Sequence, residues 1–501
     1  MFRRKEQKYF RNNSFFPGTG RKPSALIEQQ ATNAMQLLSP SINMKTPPLN
    51  FALILSLSAF AVNQSLAQQY EVVELTSGSG HEVNEAGWVA GQQSPSNAYL
   101  WQQSGNNIID LDAFASAYDV TLARSVNRFG NTVFNAFNLD NSAPQALYYD
   151  FATNTSQFLS TGSNAGGYAN HISNGGVIAG KVNPVNTSNS LAAYWMSSAS
   201  NPTIISGADG FTDANAAMDF VGWQAGSTVF TNDACLYRQS NATLYTLPAF
   251  GGGGSASANS INSEGLVVGD SDNQAAIWIE SGPGLGTFQI NAMQSADAVG
   301  QVGRSASDIN NMGMAVGYLQ STRPAHNGNY QAFLYYDGFE AFDRAKHLED
   351  FVVSGPEVRF EFANSVDERG WIVGTGAVRY PGGSWQTDRT LLAKPLLSLM
   401  PPLPGTAGNV NEFLTFGAAP STKIYMAYSL NPNGSTDLSN WCPGLILDMA
   451  NAQLATTGVS NSNGKLNFNA MVPMAAAGRT VYLQAFDLRN CKKSNLLSHT
   501  F

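Results

Sequence analysis

Charge is scarce in this 501-residue chain, where Asp, Glu, Lys and Arg together make up 12% of the residues, about half the usual share of a soluble domain. Histidine and cysteine are scarcer still, with five and three copies. The histidines, at 81, 171, 326, 347 and 499, include no pair at metal-ligand spacing, which argues against a zinc centre. No Gly-x-Ser-x-Gly elbow occurs, so the sequence offers no serine-hydrolase nucleophile. The glycine-rich strings at 251 to 254 and 282 to 286 do not stand between a strand and a helix, which removes them as phosphate loops. Asp270, Asp272 and Asn273 resemble half of a calcium loop without its later acidic ligand. Helical periodicity is nearly missing as well. None of this points to a cofactor.

The first 67 residues stand apart, holding 8 of the 27 Lys and Arg but only 2 of the 35 acids, which leaves 19 basic against 33 acidic side chains beyond them. A body that acidic repels phosphate backbones and anionic bilayers, so nucleic acid is not an expected partner. Residues 49 to 62, LNFALILSLSAFAV, follow Met44-Lys45 and precede the small-x-small string Ser65-Leu66-Ala67. These are the three parts of a secretory signal peptide, with cleavage expected between Ala67 and Gln68. The run is too short to cross about 30 Å of hydrocarbon, and no later segment is long and apolar enough to span. An internal start at Met44 would give the signal an ordinary length. Export, to the extracellular space, the periplasm or the cell surface, is the expected localisation.

What is present is glycine, 47 copies, in a repeated phrase of the form apolar-Asn-x-x-Gly-apolar-x-x-Gly. It is most regular as SINSEGLVVG from Ser260 and recurs from Glu82, Ser125, His171, Asp308 and Ser365, with turn glycines at Gly87, Gly130, Gly176, Gly265, Gly313 and Gly370. The gap between Gly176 and Gly265 leaves room for one degenerate copy, placed at 221 to 230. Asn at the first position and Gly at the fourth are favoured ends of a type I turn, so each phrase reads as strand, turn, strand. A second phrase, Ala-apolar-aromatic, trails each copy, as at Ala98 to Trp101 and Ala275 to Trp278, and gives a third strand. A fourth follows. Four short strands per unit at a propeller-like period predict an all-β fold: a seven-bladed β-propeller, with six or eight blades as alternatives. The strand YEVVEL from Tyr70 is expected to close the ring beside TLLAK of the last unit.

In wording as well as period, residues 70 to 396 resemble the extracellular HAF-repeat family, secreted proteins built from copies of an Asn-x-x-Gly phrase followed by Ala-Phe-Leu-Trp. The most specific stretch is HLEDFVVSG from His347 leading into FANSVDERGWIVGTG. Asp367 in place of Asn, and Ser173 in the third unit, depart from the pattern. The resemblance implies a secreted propeller and brings no chemistry.

The expected organisation is thus 1–67 as extension and signal peptide, 68–396 as propeller, 397–410 as a Pro/Gly-rich linker, and 411–501 as a small β-sandwich. In the last, Cys442 and Cys491 are expected to form a disulfide. Cys235, inside the Ala-apolar-aromatic phrase, reads as a buried, unreactive thiol. The excursion at 339 to 360, with Asp343, Arg344, Lys346, His347, Glu349 and Asp350 around Phe342, Leu348 and Phe351, reads as a short amphipathic helix on one propeller face and as the first place to seek function. With no catalytic motif, the leading expectation is a monomeric, non-catalytic binding or scaffold protein holding a glycan, peptide or surface protein on a propeller face. The alternatives are a glycan lyase or hydrolase with carboxylates from different blades meeting in the channel, and a surface structural or adhesive protein.

Overall fold

The computed structural model describes residues 69–501 apart from 141–142, 186–188, 227–230, 253, 283, 294–302, 321–329, 337–344, 420 and 462–463. The expected signal segment, its cleavage site at Ala67 and Gln68, His326, Asp343 and Arg344 lie outside these residues. All of the described residues fall within one compact unit, Gln64–Phe501. They form strands and short 3₁₀ turns, with no α-helix among them.

Seven sheets follow one another along the chain, antiparallel except where Tyr70–Ser77 pairs parallel with Val352–Ser354 in the last. Their first strands are Ser79–Val83, Val120–Val126, Gly166–Ile172, Gly210–Ala214, Ala256–Ile261, Gly303–Ile309 and Glu357–Val366, and the sheets are numbered blades 1 to 7 in that order. Each first strand touches the first strands of both neighbouring blades, and blade 7 touches blade 1, so the first strands ring a central axis. The protein is a seven-bladed β-propeller followed by a β-sandwich. Tyr70–Ser77 closes the ring as expected, pairing antiparallel with Gln386–Pro395 so that the start and end of the propeller share blade 7.

The near-continuous apolar strands follow from this geometry. Along Asn97–Gln102, Ala98 and Leu100 pack with Val126 and Phe134 of blade 2, while Tyr99 and Trp101 pack with Val373 and Leu392 of blade 7. A strand sandwiched between blades has no solvent face, so its period-2 alternation divides two cores rather than core from water. Cys235 sits in the core between blades 3 and 4, and burial pushes its thiol up to about 12.

All six turn glycines have positive φ, for example 82° at Gly265 and 78° at Gly370. The seventh hairpin is the degenerate one and lies earlier than 221 to 230: its turn runs from Asn215 to Met218, and Met218 takes the glycine place at φ 63°. A side chain in that region costs about 1–2 kcal/mol. Met218→Gly is therefore expected to raise the denaturation midpoint, with the relief of backbone strain exceeding the loss of a partly buried side chain. A lower midpoint in urea would show that Met218 packing decides the position.

One other expectation is corrected, and one resemblance is explained. Within the 339 to 360 excursion, Leu348–Phe351 is a single 3₁₀ turn, not an amphipathic helix, and Leu348 and Phe351 are buried in the core between blades 6 and 7. Asp272 and Asn273, both at positive φ, are the two central residues of a tight hairpin between the paired Ser271 and Gln274, a turn that Asp and Asn tolerate and that needs no cation.

Beyond the propeller, Ser398–Leu399, Val410–Phe416 and Leu466–Met471 form one sheet, and Lys423–Ser429 and Thr480–Asp487 centre a second. Phe413 and Phe468 of the first meet Ile424, Met426 and Leu483 of the second in a shared core, the packing of a sandwich. The stretch read as a linker is folded in. Leu397, Leu399 and Met400 are buried, and Met400 joins Phe416 against the core of blades 6 and 7. Cys442 and Cys491 are disulfide-bonded.

Candidate functional site

A cavity of about 910 Å³ occupies the axis at the end where the hairpin turns gather, and every blade contributes to its wall. Its lining begins with a bulge. In each blade the pairing of first and second strand slips one residue before the phrase, for example between Ala258 and Ser260. A bulge leaves one residue unpaired and turns it out of the alternation. Two consecutive residues per blade thus face the axis region: His81 with Glu82, Arg124 with Ser125, Asn170 with His171, Thr212 with Asp213, Asn259 with Ser260, Ser307 with Asp308, and Asn364 with Ser365.

The second member of each pair, the first letter of the repeated phrase, belongs to a polar belt that joins blade to blade. Ser125 Oγ accepts from the Ile172 N–H (2.9 Å), Asp213 Oδ2 from Ile261 (2.9 Å), Asp308 Oδ2 from Val366 (2.8 Å) and Ser365 Oγ from Val83 (3.3 Å). Within the belt, His171 Nδ1 lies 3.0 Å from Asp213 Oδ1. Ser260 Oγ lies 2.8 Å from Asp213 Oδ2 and 2.7 Å from Asp308 Oδ1. One hydroxyl proton cannot serve both carboxylates, so the second contact needs a protonated carboxyl. Asp308 is placed to be that group, because burial and the charge of Asp213 raise its pKa.

The charges of the belt are set by the same neighbours. Burial pulls the His171 imidazolium down, but the charge and hydrogen bond of Asp213, with Glu82 and Asp308, outweigh it and bring the group to about 9. Burial acts against the Asp213 carboxylate, yet His171 beside it holds its pKa below the ordinary value. Glu82 has only partial compensation from His171 and Ser125, so burial pushes it up to about 8. At neutral pH the belt therefore holds an ion pair, His171 with Asp213, beside a neutral Glu82.

Five of the seven first members, all but Arg124 and Ser307, bind the other backbone group of the next blade. His81 Nδ1 lies 2.7 Å from Ala123 O, and Asn170, Thr212, Asn259 and Asn364 donate to Phe211, Ala258, Ala306 and Gly80 carbonyls at 2.7 to 2.8 Å. Nearer the mouth, the phrase asparagine has two tasks. Oδ1 of Asn262 accepts from Glu264 and Leu266 within its own hairpin, at 3.1 and 2.9 Å, while Nδ2 donates to the Asn310 carbonyl of the next blade at 3.1 Å. Asn84 and Asn310 do likewise. Asp367 has no amide N–H to offer, and Arg369, paired with it at 2.7 Å, reaches the Asn84 carbonyl in its place at 2.9 Å. At the rim, Glu368 accepts from Asn311 at 2.5 Å, and burial raises its carboxyl to about 7.

Of the histidines read from the sequence, His81 and His171 meet in this channel, whereas His347 and His499 lie elsewhere. A second cavity, about 480 Å³ and mainly apolar, lies in the sandwich between Tyr425, Leu438, Trp441, Leu454 and Phe486.

No family model matches the chain, and no curated protein matches it. Solved structures do. TolB from Acinetobacter baumannii is 12% identical over 53% of this chain, which spans 62% of that one, at a TM-score of 0.33. The Cps50 (Swd1) β-propeller domain of Myceliophteria thermophila is 9% identical, with 64% of this chain covering 98% of it, at 0.42. The Dos1 propeller is 11% identical, 66% of this chain covering 95% of it, at 0.37. The fold assignment rests on the closed ring of sheets itself.

Proposed function

We propose that this is an exported, non-catalytic binding protein whose axial funnel holds a polar ligand of the glycan type, with the HAF-repeat resemblance of residues 70 to 396 naming its family. The observation that supports binding most directly is how the funnel's polar groups are used. Asp213 accepts from His171, Ile261 and Ala214, Asp308 accepts from Val366 and Ile309, and the Ser260 hydroxyl bridges the two. Carboxylates so engaged hold blades in place and are poorly free to shuttle protons. What they leave is a rigid concave wall of amides and hydroxyls, suited to orienting a hydroxylated ligand. The disulfide suits an oxidising compartment, and no helix among the described residues is long and apolar enough to cross a membrane. A glycan and peptide array probed with the purified chain tests the reading, with selective retention of glycans expected. Silence across the array would sink it.

A hydrolytic or lyase reading is favoured by one specific feature, a protonated Glu82 on the wall of the channel that also holds His171, since an acid with a pKa of about 8 can donate a proton at neutral pH. Any glycan retained on the array should therefore be incubated with wild type and Glu82→Gln. The binding reading expects no product from either. Product that disappears in the variant would replace that reading with catalysis.

A further inference from the structure

Blades 2 and 6, with Arg124 and Ser307 at the bulge, depart from the rule of the channel wall, and in blade 2 another residue makes the missing tie. In five of the blades the bulge side chain is tied to the carbonyl of the next blade, but in blade 2 that carbonyl, Ala169 O, is taken by Asn135 Nδ2 at 2.9 Å, and Asn135 Oδ1 also accepts the Ala169 N–H at 2.8 Å. Asn135, fully buried on the second strand, thereby replaces the bulge residue as the inter-blade tie. The bulge residue so released is Arg124, which lines the cavity and is exposed to it. Among the described residues its guanidinium has no ion pair and no side-chain hydrogen bond.

Its surroundings reinforce a positive spot. On the adjoining blade 3, Lys181 Nζ lies 4.9 Å from the Tyr168 ring and 5.4 Å from that of Trp223. The ammonium is held below its ordinary pKa by burial and also by Arg124, while Asp209 acts the other way. Trp223 reaches the channel wall because its strand partner is Gly210, where an added Cβ would meet the indole Cζ2 at 2.5 Å. The indole thus lies where other blades carry a first-strand side chain, and it offers a flat apolar face beside the Lys181 ammonium.

Extending the binding reading above, on which this rests, we infer that Arg124, Lys181 and Trp223 form an anion-reading subsite for the carboxylate of an acidic sugar. A guanidinium fork matches a carboxylate with two parallel hydrogen bonds. The amide and hydroxyl groups of Asn170, Thr212 and Asn259 suit sugar hydroxyls. The nearby carboxylate of Asp213, and a net charge of −8 on the chain, penalise each further negative charge, which favours a monoanionic carboxylate over phosphate or a sulfated polymer.

The test compares binding of oligogalacturonate, oligoglucuronate and oligomannuronate with their methyl esters, which keep shape and remove charge. Neutral and sulfated oligosaccharides and peptides with a free C-terminus run alongside. The purified wild-type chain should bind at least one oligouronate about tenfold or more tightly than its ester. Arg124→Gln should lose that preference and Lys181→Gln should reduce it, with unfolding midpoints near wild type; if Arg124→Gln fails to fold, Lys181→Gln and the ester comparison decide. Equal affinity for acid and ester, a preference untouched by Arg124→Gln, or stronger binding of sulfated glycans or peptides overturns this inference. Binding of neutral glycans alone overturns it while leaving the binding reading standing, whereas silence to every glycan removes both.

Discussion

Replacing Asp213 by alanine is expected to lower folding stability by about 3–5 kcal/mol, the usual result of removing one partner of a buried ion pair. Besides the Ala214 N–H of its own strand, three groups of neighbouring blades would lose their acceptor together: the His171 imidazolium, the Ser260 hydroxyl and the Ile261 N–H. They belong to blades 3 and 5, so the loss falls on two blade interfaces and should appear as a lower urea midpoint for the whole propeller. Ser263→Ala, at the rim, should stay within about 0.5 kcal/mol of wild type. An Asp213→Ala midpoint equal to wild type would mean the belt holds nothing together.

The same belt sets a pH dependence. His171 rises from 6.5 unfolded to about 9 folded, so its contribution is whole below about pH 6.5 and is lost as pH climbs through 9. Glu82 rises from 4.5 to about 8. Above about pH 4.5 the unfolded chain releases that proton while the folded one keeps it, so stability falls with rising pH until the folded group also ionises near 8. Asp213 works in the opposite direction only at low pH, where its depressed folded pKa adds stability that is lost on acidification. The melting temperature should therefore decline from about pH 5 to pH 9, and Glu82→Gln should flatten the lower part of that slope. A profile that rises toward pH 9 would contradict these protonation states.

Loss of the disulfide is the second large effect. Cys442 and Cys491 close a loop of 49 residues, and the chain-entropy model gives about 4 kcal/mol for a loop of that length. Cys442 is buried in the smaller core of the sandwich with Leu438, Leu447, Met449 and Phe486. Reduction, or Cys442→Ser with Cys491→Ser, is expected to unfold this module well before the blades. Trp441, adjacent to Cys442, reports on the module by fluorescence, while far-UV circular dichroism follows the propeller. The interface through Met400 and Phe416 should transmit part of the loss to blade 7. Midpoints unchanged by dithiothreitol would show that hydrophobic packing alone holds the sandwich.

The blades could be read from the chain because each is local. Asn262 and Gly265 fix their hairpin within four residues, and the apolar runs on either side of it have no other use than burial between sheets. The polar belt was also on view, as the opening letters of the phrases at Glu82, Ser125, His171, Ser260, Asp308 and Ser365. What could not be read was that a bulge turns both this column and the one before it toward the axis. The hairpin at Asn215 was placed too late, at 221 to 230, because Met218 holds the place of its glycine, and the excursion near Leu348 was misjudged because its apolar residues serve the core between blades 6 and 7.

Sequence alone determined the hairpin count, the closing strand at Tyr70 and the cysteine pairing, since turn chemistry and burial patterns act over a few residues or on a few unique ones. Only the tertiary structure decided that His171, Asp213, Ser260 and Asp308 share one hydrogen-bonded belt, and that Asn135 frees Arg124 into the channel. Those contacts join residues more than thirty positions apart only because seven twisted sheets close on a common axis, and interaction strength there depends on distances and desolvation that residue order does not encode.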